Sequence, residues 1–249
     1  MTATDTRQDS AIGNAPQAYS GVAALNIARI DRGTGSFTFA DHTTYPMARI
    51  DGVIPCFTPG TMIATPRGEV PVERLQTGDR VLTRDNGIQT IRWAGQKKLD
   101  HLQLKMLREL RPVLIKAGAL GDGRPERDMK VSPMHRMLVV ANVAQMYFGQ
   151  AEVLVAAKDL LALDGVEIGD TPYVTYVHFM CDRHEMVLAD GTWSESFQPG
   201  DLSLKGLDEA QRAELLELFP DLADIDGVMR YRAARRTLRP GEAAVLFSV

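Results

Sequence analysis

The chain has 249 residues, a formal net charge of −4, and 45% hydrophobic against 24% charged residues. This is the balance of an ordinary globular protein, and the length suffices for one large or two modest domains with a buried core. The small net charge gives no electrostatic reason to expect nucleic acid or an anionic membrane surface as a partner.

The sequence carries no pattern of a membrane span or a secretory leader. No apolar run reaches the about 18 residues that a transmembrane helix needs. Residues 1–15 are polar and lack the apolar stretch of a signal peptide. We therefore expect a cytoplasmic protein by default, with export by a leaderless route left open. In a reducing compartment, Cys56 and Cys181 are expected to be free thiols.

Residues 1–52 are predicted to form a tail followed by a short β lead-in. Residues 1–20 have the polar composition of a flexible tail. Residues 21–47 alternate short apolar runs with turn signals, which is typical of a hairpin-like segment. We place the boundary to the main domain at residue 53.

Residues 53–200 show the pattern of many short strands separated by turns. Strands and tight turns are predicted over residues 61–93, where Asp85-Asn86-Gly87 is a strong turn signal. Further strands are expected over residues 112–119 and 129–140. Residues 153–163 are expected to form a strand that runs into a short helix or turn, and residues 173–188 a strand, a turn and a strand. Strands this short and this regularly spaced predict a mainly β domain, closed or heavily curled.

Residues 201–249 depart from that pattern. Apolar residues near helical spacing predict one helix over Leu207–Phe219, which Pro220 ends. A last strand is predicted over Ala243–Val249. We therefore expect a small C-terminal extension, made of a helix and a strand, that packs on the β domain.

Two short motifs carry the chemistry that the sequence suggests. Cys56 opens a Cys-Phe-Thr-Pro-Gly-Thr turn that ends at Thr61, and a Ser-x-x-His motif places Ser132 three residues before His135. A cysteine is a good nucleophile because its thiol is partly ionised near neutral pH. If its target is its own upstream carbonyl, effective molarities of about 10⁵–10⁸ M offset weak activation.

Attack of Cys56 on the Pro55 carbonyl would convert the amide between them into a thioester. The amide nitrogen is a poor leaving group until it is protonated, and a nearby histidine that supplies the proton is worth about 10²–10⁴-fold. His135 is the candidate acid. Ser132 offers a hydroxyl that could bond either to the scissile amide or to the imidazole.

These motifs, with a third His-bearing segment, resemble the Hint family of hedgehog autoprocessing domains and inteins over residues 53–200. The similar segments are Cys56–Thr61 (first intein block), Ser132–His135 (the Thr-x-x-His block), Tyr176–His184 and Val187–Gly191 (late blocks). A bacterial Hint subfamily is closer still, with further similarity over Arg111–Leu138 and Leu215–Pro220.

The resemblance implies a pseudo-symmetric, curled β fold and a self-catalysed N-to-S acyl shift. The implied site residues are the nucleophile Cys56, the scissile-bond residue Pro55, the acid His135, the hydrogen-bonding partner Ser132, the turn residue Thr61 and the accessory His184. The resemblance implies no cofactor and no metal. The implied partners are the chain's own N-terminal segment as substrate and water or a small thiol as second nucleophile.

Two features depart from the splicing members of that family. Inteins end in a His-Asn pair because the asparagine must cyclise, whereas every asparagine of this chain lies before His184. We therefore expect cleavage or acyl transfer at Cys56 alone, without ligation of the flanks. Pro55 is the second departure, because its ring could either crowd the carbonyl and slow attack or hold the bond in a strained geometry.

Two other functions stay open on the sequence. A catalytically inactive Hint-fold scaffold or binding module would fit the proline at position 55 and the serine at position 132. A trans-acting thiol hydrolase would cleave added peptides repeatedly, whereas a self-processing module turns over once.

The remaining cysteine and histidines receive structural interpretations. Cys181 is expected to pack in the core, and His42 and His101 are expected in turns or at the surface. His178 stands where inteins often carry an aspartate, and a catalytic role for it is not favoured. A zinc site is not favoured either, because only the loose Cys181-x-x-His184 pair has a ligand-like spacing.

Overall fold

The computed structural model describes residues 27–31, 36–39, 44–46, 54–199, 204 and 207–247, the first three ranges as backbone alone. The chain divides into two compact units, Met1–Arg49 and Ile50–Val249. The predicted tail over residues 1–20 and His42 lie outside the described residues. In the described part, no helix has both the length and the apolar character needed to cross a membrane.

The first unit contains a three-stranded antiparallel sheet. Its strands are β1 (Ile27–Asp31), β2 (Ser36–Phe39) and β3 (Thr44–Pro46). β2 lies in the middle of the sheet and pairs with both neighbours. These three strands lie within the β lead-in predicted over residues 21–47, and the residues that connect them lie outside the described residues.

The second unit is built mainly from short strands. These are β4 (Met62–Thr65), β5 (Gly68–Pro71), β6 (Arg80–Thr83), β7 (Gly87–Thr90), β8 (Trp93–Leu99), β9 (Val113–Ile115), β10 (Met129–Val131), β11 (Arg136–Val140), β12 (Glu152–Ala156), β13 (Val166–Ile168), β14 (Val174–Met180), β15 (Met186–Ala189), β16 (Thr192–Glu195) and β17 (Arg236–Thr237). The predicted mainly β fold is confirmed.

The strands of this unit form three sheets. The largest has the order β17-β12-β11-β16-β15-β4-β5, with β6 pairing with β15 and β7 with β6. A second sheet has the order β10-β9-β13, and a third is the long antiparallel pair β14-β8. Within the described residues none of these sheets closes into a barrel, so the curled alternative describes the fold.

A sharp break separates β10 from β11 and sends them into different sheets. β10 pairs with β9, whereas β11 pairs with β12. Between them, residues 132–135 form a turn in which the His135 amide donates to the Ser132 carbonyl (3.0 Å). Pro133 suits this turn because its fixed φ and missing N–H oppose a continuous strand. The strand expected over residues 129–140 is therefore divided in two by this turn.

Two large hydrophobic clusters form the interior, and consecutive residues of a strand alternate between them. The first core includes Phe57, Ile63, Val131, Met137, Val177, Phe179 and Cys181. The second core includes Ile54, Cys56, Trp93, Tyr176, Met180, Phe197, Leu204, Leu207, Leu215 and Leu222. Successive side chains of extended chain point to opposite faces, which is why Cys56 and Phe57 enter different cores.

Five short α-helices lie in the described part of the second unit. They are α1 (His101–Met106), α2 (Asn142–Phe148), α3 (Glu209–Leu218), α4 (Ile225–Arg230) and α5 (Pro240–Leu246). α3 confirms the predicted late helix, and the small C-terminal helical extension is confirmed with it. α1, α2 and α4 were not predicted, because helices of six or seven residues leave almost no periodic signal.

The predicted last strand over Ala243–Val249 is wrong, because residues 240–246 form α5. Pro240 occupies the first turn, where its fixed φ suits a helix and its missing N–H costs nothing. The Glu242 carboxylate accepts a hydrogen bond from the Arg239 amide (2.9 Å) at the helix start. An apolar run this short does not separate strand from helix, and these start signals decide it.

Candidate active site around Cys56

Cys56 lies in a buried extended segment held between two other parts of the chain. Phe57 exchanges both backbone hydrogen bonds with Val177 on β14 (2.8 and 2.9 Å). On the other side, the Ser132 amide donates to the Cys56 carbonyl (2.9 Å). Pro55 is buried, and Cys56 is only 2% exposed. The three motifs that are distant in sequence therefore meet at this segment.

The Ser132 hydroxyl bridges the residues on either side of Pro55. Its oxygen accepts a hydrogen bond from the Cys56 amide nitrogen (2.9 Å) and donates to the Ile54 carbonyl (2.7 Å). Because the hydroxyl proton is directed at Ile54, the oxygen lone pairs face the Cys56 N–H. The side chain of Ser132 thus fixes the nitrogen of the Pro55–Cys56 bond and the chain two residues before Cys56.

His178 contacts the Cys56 thiol. Its Nδ1 lies 3.4 Å from the sulfur. The imidazole stacks on Trp93, with ring centroids 4.9 Å apart, and lies against Phe197 at 5.7 Å. On the paired strand it faces Gly95, where an added Cβ would come within 2.6 Å of Nε2. These close neighbours hold the ring in place.

The thiol and the imidazole are both neutral near pH 7. Burial raises the pKa of the Cys56 thiol well above its ordinary value, a shift that Lys97 opposes and Glu195 reinforces. Burial lowers the pKa of His178 to about 3, with Lys97 adding to the effect and Asp208 opposing it. A neutral imidazole has a free lone pair, so Nδ1 can accept the thiol proton.

His135 shares the turn of Ser132 and is also buried. Its ring lies 4.4 Å from the Phe57 ring, and within the described residues neither of its nitrogens has a hydrogen-bond partner. Burial lowers the pKa of His135 to about 4, and the charge of Glu195 works against that shift. The imidazole is neutral at pH 7 and retains one N–H that it can donate.

His184 belongs to a buried charge network around Glu195. Its Nδ1 accepts from the Ala234 amide (2.9 Å), so Nε2 carries the proton and donates to Glu195 Oε2 (3.1 Å). Glu195 also accepts from the amide (2.8 Å) and the guanidinium (3.0 Å) of Arg136. Although burial acts to raise its pKa, Arg136 and His184 hold the pKa of Glu195 below its usual value.

Thr61 closes the turn that follows the Cys56 segment. Its hydroxyl and its amide both donate to the Thr58 carbonyl (2.9 and 3.2 Å), and Gly60 takes the positive φ (+91°) that the turn requires. The Thr58 hydroxyl in turn donates to the carbonyl of Lys130 in β10 (2.9 Å). This position matches a turn-setting role.

Several residues of the site received no functional role from the sequence. His178 was set aside, yet strand alternation places it on the same face of β14 as Tyr176, and that signal could have marked it. Glu195 and Lys97 follow no local pattern, because what distinguishes them is the burial of their charges. Gly95 lies within β8, and an interior strand glycine is a known sign of close approach.

The two cysteines do not approach each other and are both free. Cys181 follows β14 and packs in the first core, where burial raises the pKa of its thiol to about 12. Within the described residues, no group of three or more cysteine, histidine, aspartate or glutamate side chains could hold a metal ion.

Comparison with known proteins identifies the family. The model of the Hint domain matches residues 55–201, which is more than half of the chain. The chain belongs to the Hint domain family. The motifs that meet at Cys56 all lie within the matched range, whereas α3, α4 and α5 lie beyond it. No curated protein sequence matches this Hint-domain chain.

Among solved structures, intein and intein-like domains are similar to it. A bacterial intein-like domain from Clostridium thermocellum is 17% identical, over 57% of this chain and 97% of that one, with a TM-score of 0.35. The AceL NrdHF class 3 split intein is 16% identical over 57% and 97% (TM-score 0.37). A variant of the Ssp DnaB mini-intein is 10% identical over 59% and 97% (TM-score 0.36).

Proposed function

We propose that the chain catalyses an N-to-S acyl shift at its own Pro55–Cys56 bond and is then cleaved there without splicing. One observation carries this proposal. Ser132 holds the amide nitrogen of Cys56 (2.9 Å) while His178 contacts the thiol of the same residue (3.4 Å). The attacking sulfur and the leaving nitrogen both belong to Cys56, and each has its own polar partner, as intramolecular acyl transfer requires.

The first step forms the carbon–sulfur bond. His178 Nδ1 takes the thiol proton as the Cys56 sulfur attacks the Pro55 carbonyl carbon, which gives a tetrahedral intermediate. The buried thiol has a raised pKa, so its ionisation and its attack are coupled through this base. No intermolecular encounter is needed, because sulfur and carbonyl belong to adjacent residues.

The second step breaks the carbon–nitrogen bond. The nitrogen of Cys56 needs a proton to leave as an amine, and we assign its delivery to the imidazolium form of His135, whose ring lies in the same turn with both nitrogens unpartnered among the described residues. His135 takes up that proton from solvent before the step, as a minor population because its pKa is about 4, and His178 returns the thiol proton to solvent afterwards. Ser132 keeps that nitrogen oriented through its hydroxyl. The proton lost by the sulfur is balanced by the one gained at nitrogen, and the product is a thioester between Pro55 and Cys56.

The third step releases the upstream segment. Water or a small thiol attacks the thioester carbonyl, which frees a fragment that ends at Pro55 and restores the Cys56 thiol. The substrate is therefore the chain's own N-terminal segment. With no asparagine after His184, no second junction is cleaved and no ligation follows. In this scheme residues 1–52 precede the autoprocessing domain (53–200), and residues 201–249 are its extension.

An inactive Hint-fold scaffold is the second candidate, and one observation favours it. Cys56 is 2% exposed and its thiol pKa is raised, so the resting site holds neither a thiolate nor open access for water. The same burial argues against a trans-acting thiol hydrolase, because an added peptide has no path to the sulfur.

Intact mass of the purified protein tests the proposal. The wild type, Cys56→Ala and the matched control Cys181→Ala are incubated with and without dithiothreitol or hydroxylamine. We expect a nucleophile-dependent fragment that ends at Pro55 in the wild type and in Cys181→Ala, and none in Cys56→Ala.

An unchanged full-length mass in every tube would contradict self-cleavage and favour the scaffold, and Pro55→Gly would then test whether proline blocks attack. A product that joins residues before position 56 to residues after position 196 would contradict the absence of ligation.

A further inference from the structure

Helix α3 packs directly over the site, although it lies outside the residues matched to the Hint domain. Leu215 of α3 and Leu207 just before it belong to the same hydrophobic core as Cys56 and Ile54. Leu215 is completely buried. The C-terminal extension therefore contributes side chains to the core that contains the sulfur.

Two polar contacts attach α3 to the strand that supports His178. Gln211 Nε2 donates to the Gln96 carbonyl of β8 (2.9 Å). The Trp93 indole N–H donates to the Glu214 carboxylate (3.3 Å). Trp93 is the residue on which the His178 ring stacks. The helix thus touches the support of the imidazole as well as the apolar surface around the thiol.

A charged residue at the start of α3 also acts on the surroundings of His178. Asp208 caps the helix by accepting from the Gln211 amide (2.8 Å), and its charge acts on both Lys97 and His178. Lys97 faces Tyr176 across the β8–β14 pair, on the same sheet face as Gly95 and His178. The N-terminal end of α3 therefore completes the polar surroundings of the site.

We infer that α3 is a cap that opens separately from the β domain and controls access of water and thiols to Cys56. Leu215 is the one fully buried side chain of the helix, and both polar attachments use side chains near its surface. An element with so few buried contacts opens at a lower free energy than the sheets around it. While the cap is closed, the acyl shift proceeds in a dry site, and release of the fragment waits for opening.

The inference rests on the proposed function only in taking the Cys56 thiol as the nucleophile. The access of a reagent to that thiol is therefore measured by a method that does not need cleavage. Uncleaved full-length protein is treated briefly with iodoacetamide, and alkylation of Cys56 and of Cys181 is quantified by peptide mass spectrometry. Cys181 lies in the first core, to which no side chain of α3 belongs, and reports global unfolding in the same molecule.

The variants are Leu215→Ala, which removes the buried anchor, and Leu218→Ala, which removes a 48% exposed leucine of the same helix. We expect Cys56 to be alkylated about tenfold faster or more in Leu215→Ala, as for a local opening equilibrium shifted by a lost anchor. Cys56 in Leu218→Ala and Cys181 in both variants should react as in the wild type.

The double variant Gln211→Ala/Glu214→Ala keeps the apolar core intact and should shift Cys56 in the same direction, which preserves the test if Leu215→Ala does not fold. An unchanged Cys56 rate in the variant that folds would overturn the cap. Parallel acceleration of Cys56 and Cys181 would also overturn it, because α3 would then open only with the whole domain. A wild type that never cleaves but passes this test refutes the proposed function alone.

Discussion

The Ser132 hydroxyl makes two hydrogen bonds of opposite direction inside a closed site. It accepts from the Cys56 amide and donates to the Ile54 carbonyl, and all three groups are buried. A buried amide or carbonyl without a partner costs about 1–3 kcal/mol, more than the net gain from a satisfied hydrogen bond. The serine therefore stabilises the precursor as well as orienting the bond to be cleaved.

Ser132→Ala should lower stability and slow thioester formation together. We expect a loss of about 1–3 kcal/mol in the free energy of unfolding, because two backbone groups lose their partner. Thioester formation should slow by about 10–10²-fold, the order expected when a group that positions the leaving nitrogen is lost. Urea denaturation and nucleophile-dependent intact mass measure the two effects.

Ser194→Ala is the matched control, because Ser194 is fully buried and its hydroxyl has no partner within the described residues. Its removal should leave both stability and rate nearly unchanged. Equal losses in the two variants would mean that burial of a serine, rather than its two bonds, is what matters.

The contacts of single residues could be predicted from the sequence only in part. The scissile amide was one of the two partners that the sequence left open for Ser132, the other being the imidazole of His135. The contact of His178 with the thiol was not predicted, because the two residues are 122 positions apart. Only the pairing of β14 with the Cys56 segment brings them together. A histidine within an apolar strand reads as ordinary core until that pairing is known.

At the scale of elements, the register of β8 on β14 decides which residue lies against the His178 ring. The register places Gly95 opposite His178. An added Cβ there would come within 2.6 Å of His178 Nε2, 3.0 Å of the Trp93 ring and 3.1 Å of Gln211 Nε2. The imidazole and the Gln211 side chain of α3 therefore occupy the space that a side chain at position 95 would need.

Gly95→Ala should displace the imidazole from the sulfur and loosen α3. Because misplacement by about 1 Å can cost roughly 10²-fold in rate, we expect thioester formation to fall by that order. Alkylation of Cys56 should accelerate in the same variant. Intact mass and iodoacetamide labelling measure the two changes.

Gly241→Ala provides the comparison, since an added Cβ at that position of α5 meets no atom within 4 Å. An alanine within a helix should instead stabilise the protein by about 0.5–1 kcal/mol. Unchanged cleavage in Gly95→Ala would show that His178 does not act on the thiol.

The elements themselves were predicted unequally. The hairpin of β6 and β7 was foreseen because Asn86-Gly87 demands a turn, and Gly87 does adopt a positive φ (+65°). The helix α5 was predicted as a strand, because a short apolar run alone does not separate a strand from a helix. The position of α3 over Cys56 could not be predicted, since tertiary packing and not helical periodicity decides where a helix lies.

For the whole molecule, the buried imidazoles of His135 and His178 make stability depend on pH. The folded pKa values of His135 (about 4) and His178 (about 3) lie below the ordinary value of 6.5. The unfolded chain therefore takes up protons that the folded chain does not as the pH falls below 6.5. Stability is full above that pH and is lost progressively towards the folded pKa values.

We expect each imidazole to cost on the order of 2 kcal/mol of stability between about pH 8 and about pH 5. Urea denaturation across that range measures the loss, and His135→Asn or His178→Asn should each reduce it by roughly half, since one of the two groups is removed. A profile that stays equally steep in both asparagine variants would contradict these assignments.

The anchoring of Ile54 has a consequence for the fate of the severed chain. Ile54 is 5% exposed in the second core, and its carbonyl accepts from Ser132. Neither contact depends on the peptide bond after Pro55. The severed halves should therefore remain together as a nicked complex that migrates as one particle on a sizing column and separates only in denaturant. Cleavage of the bond and departure of the upstream fragment would then be two separate events, and the second would depend only on non-covalent contacts.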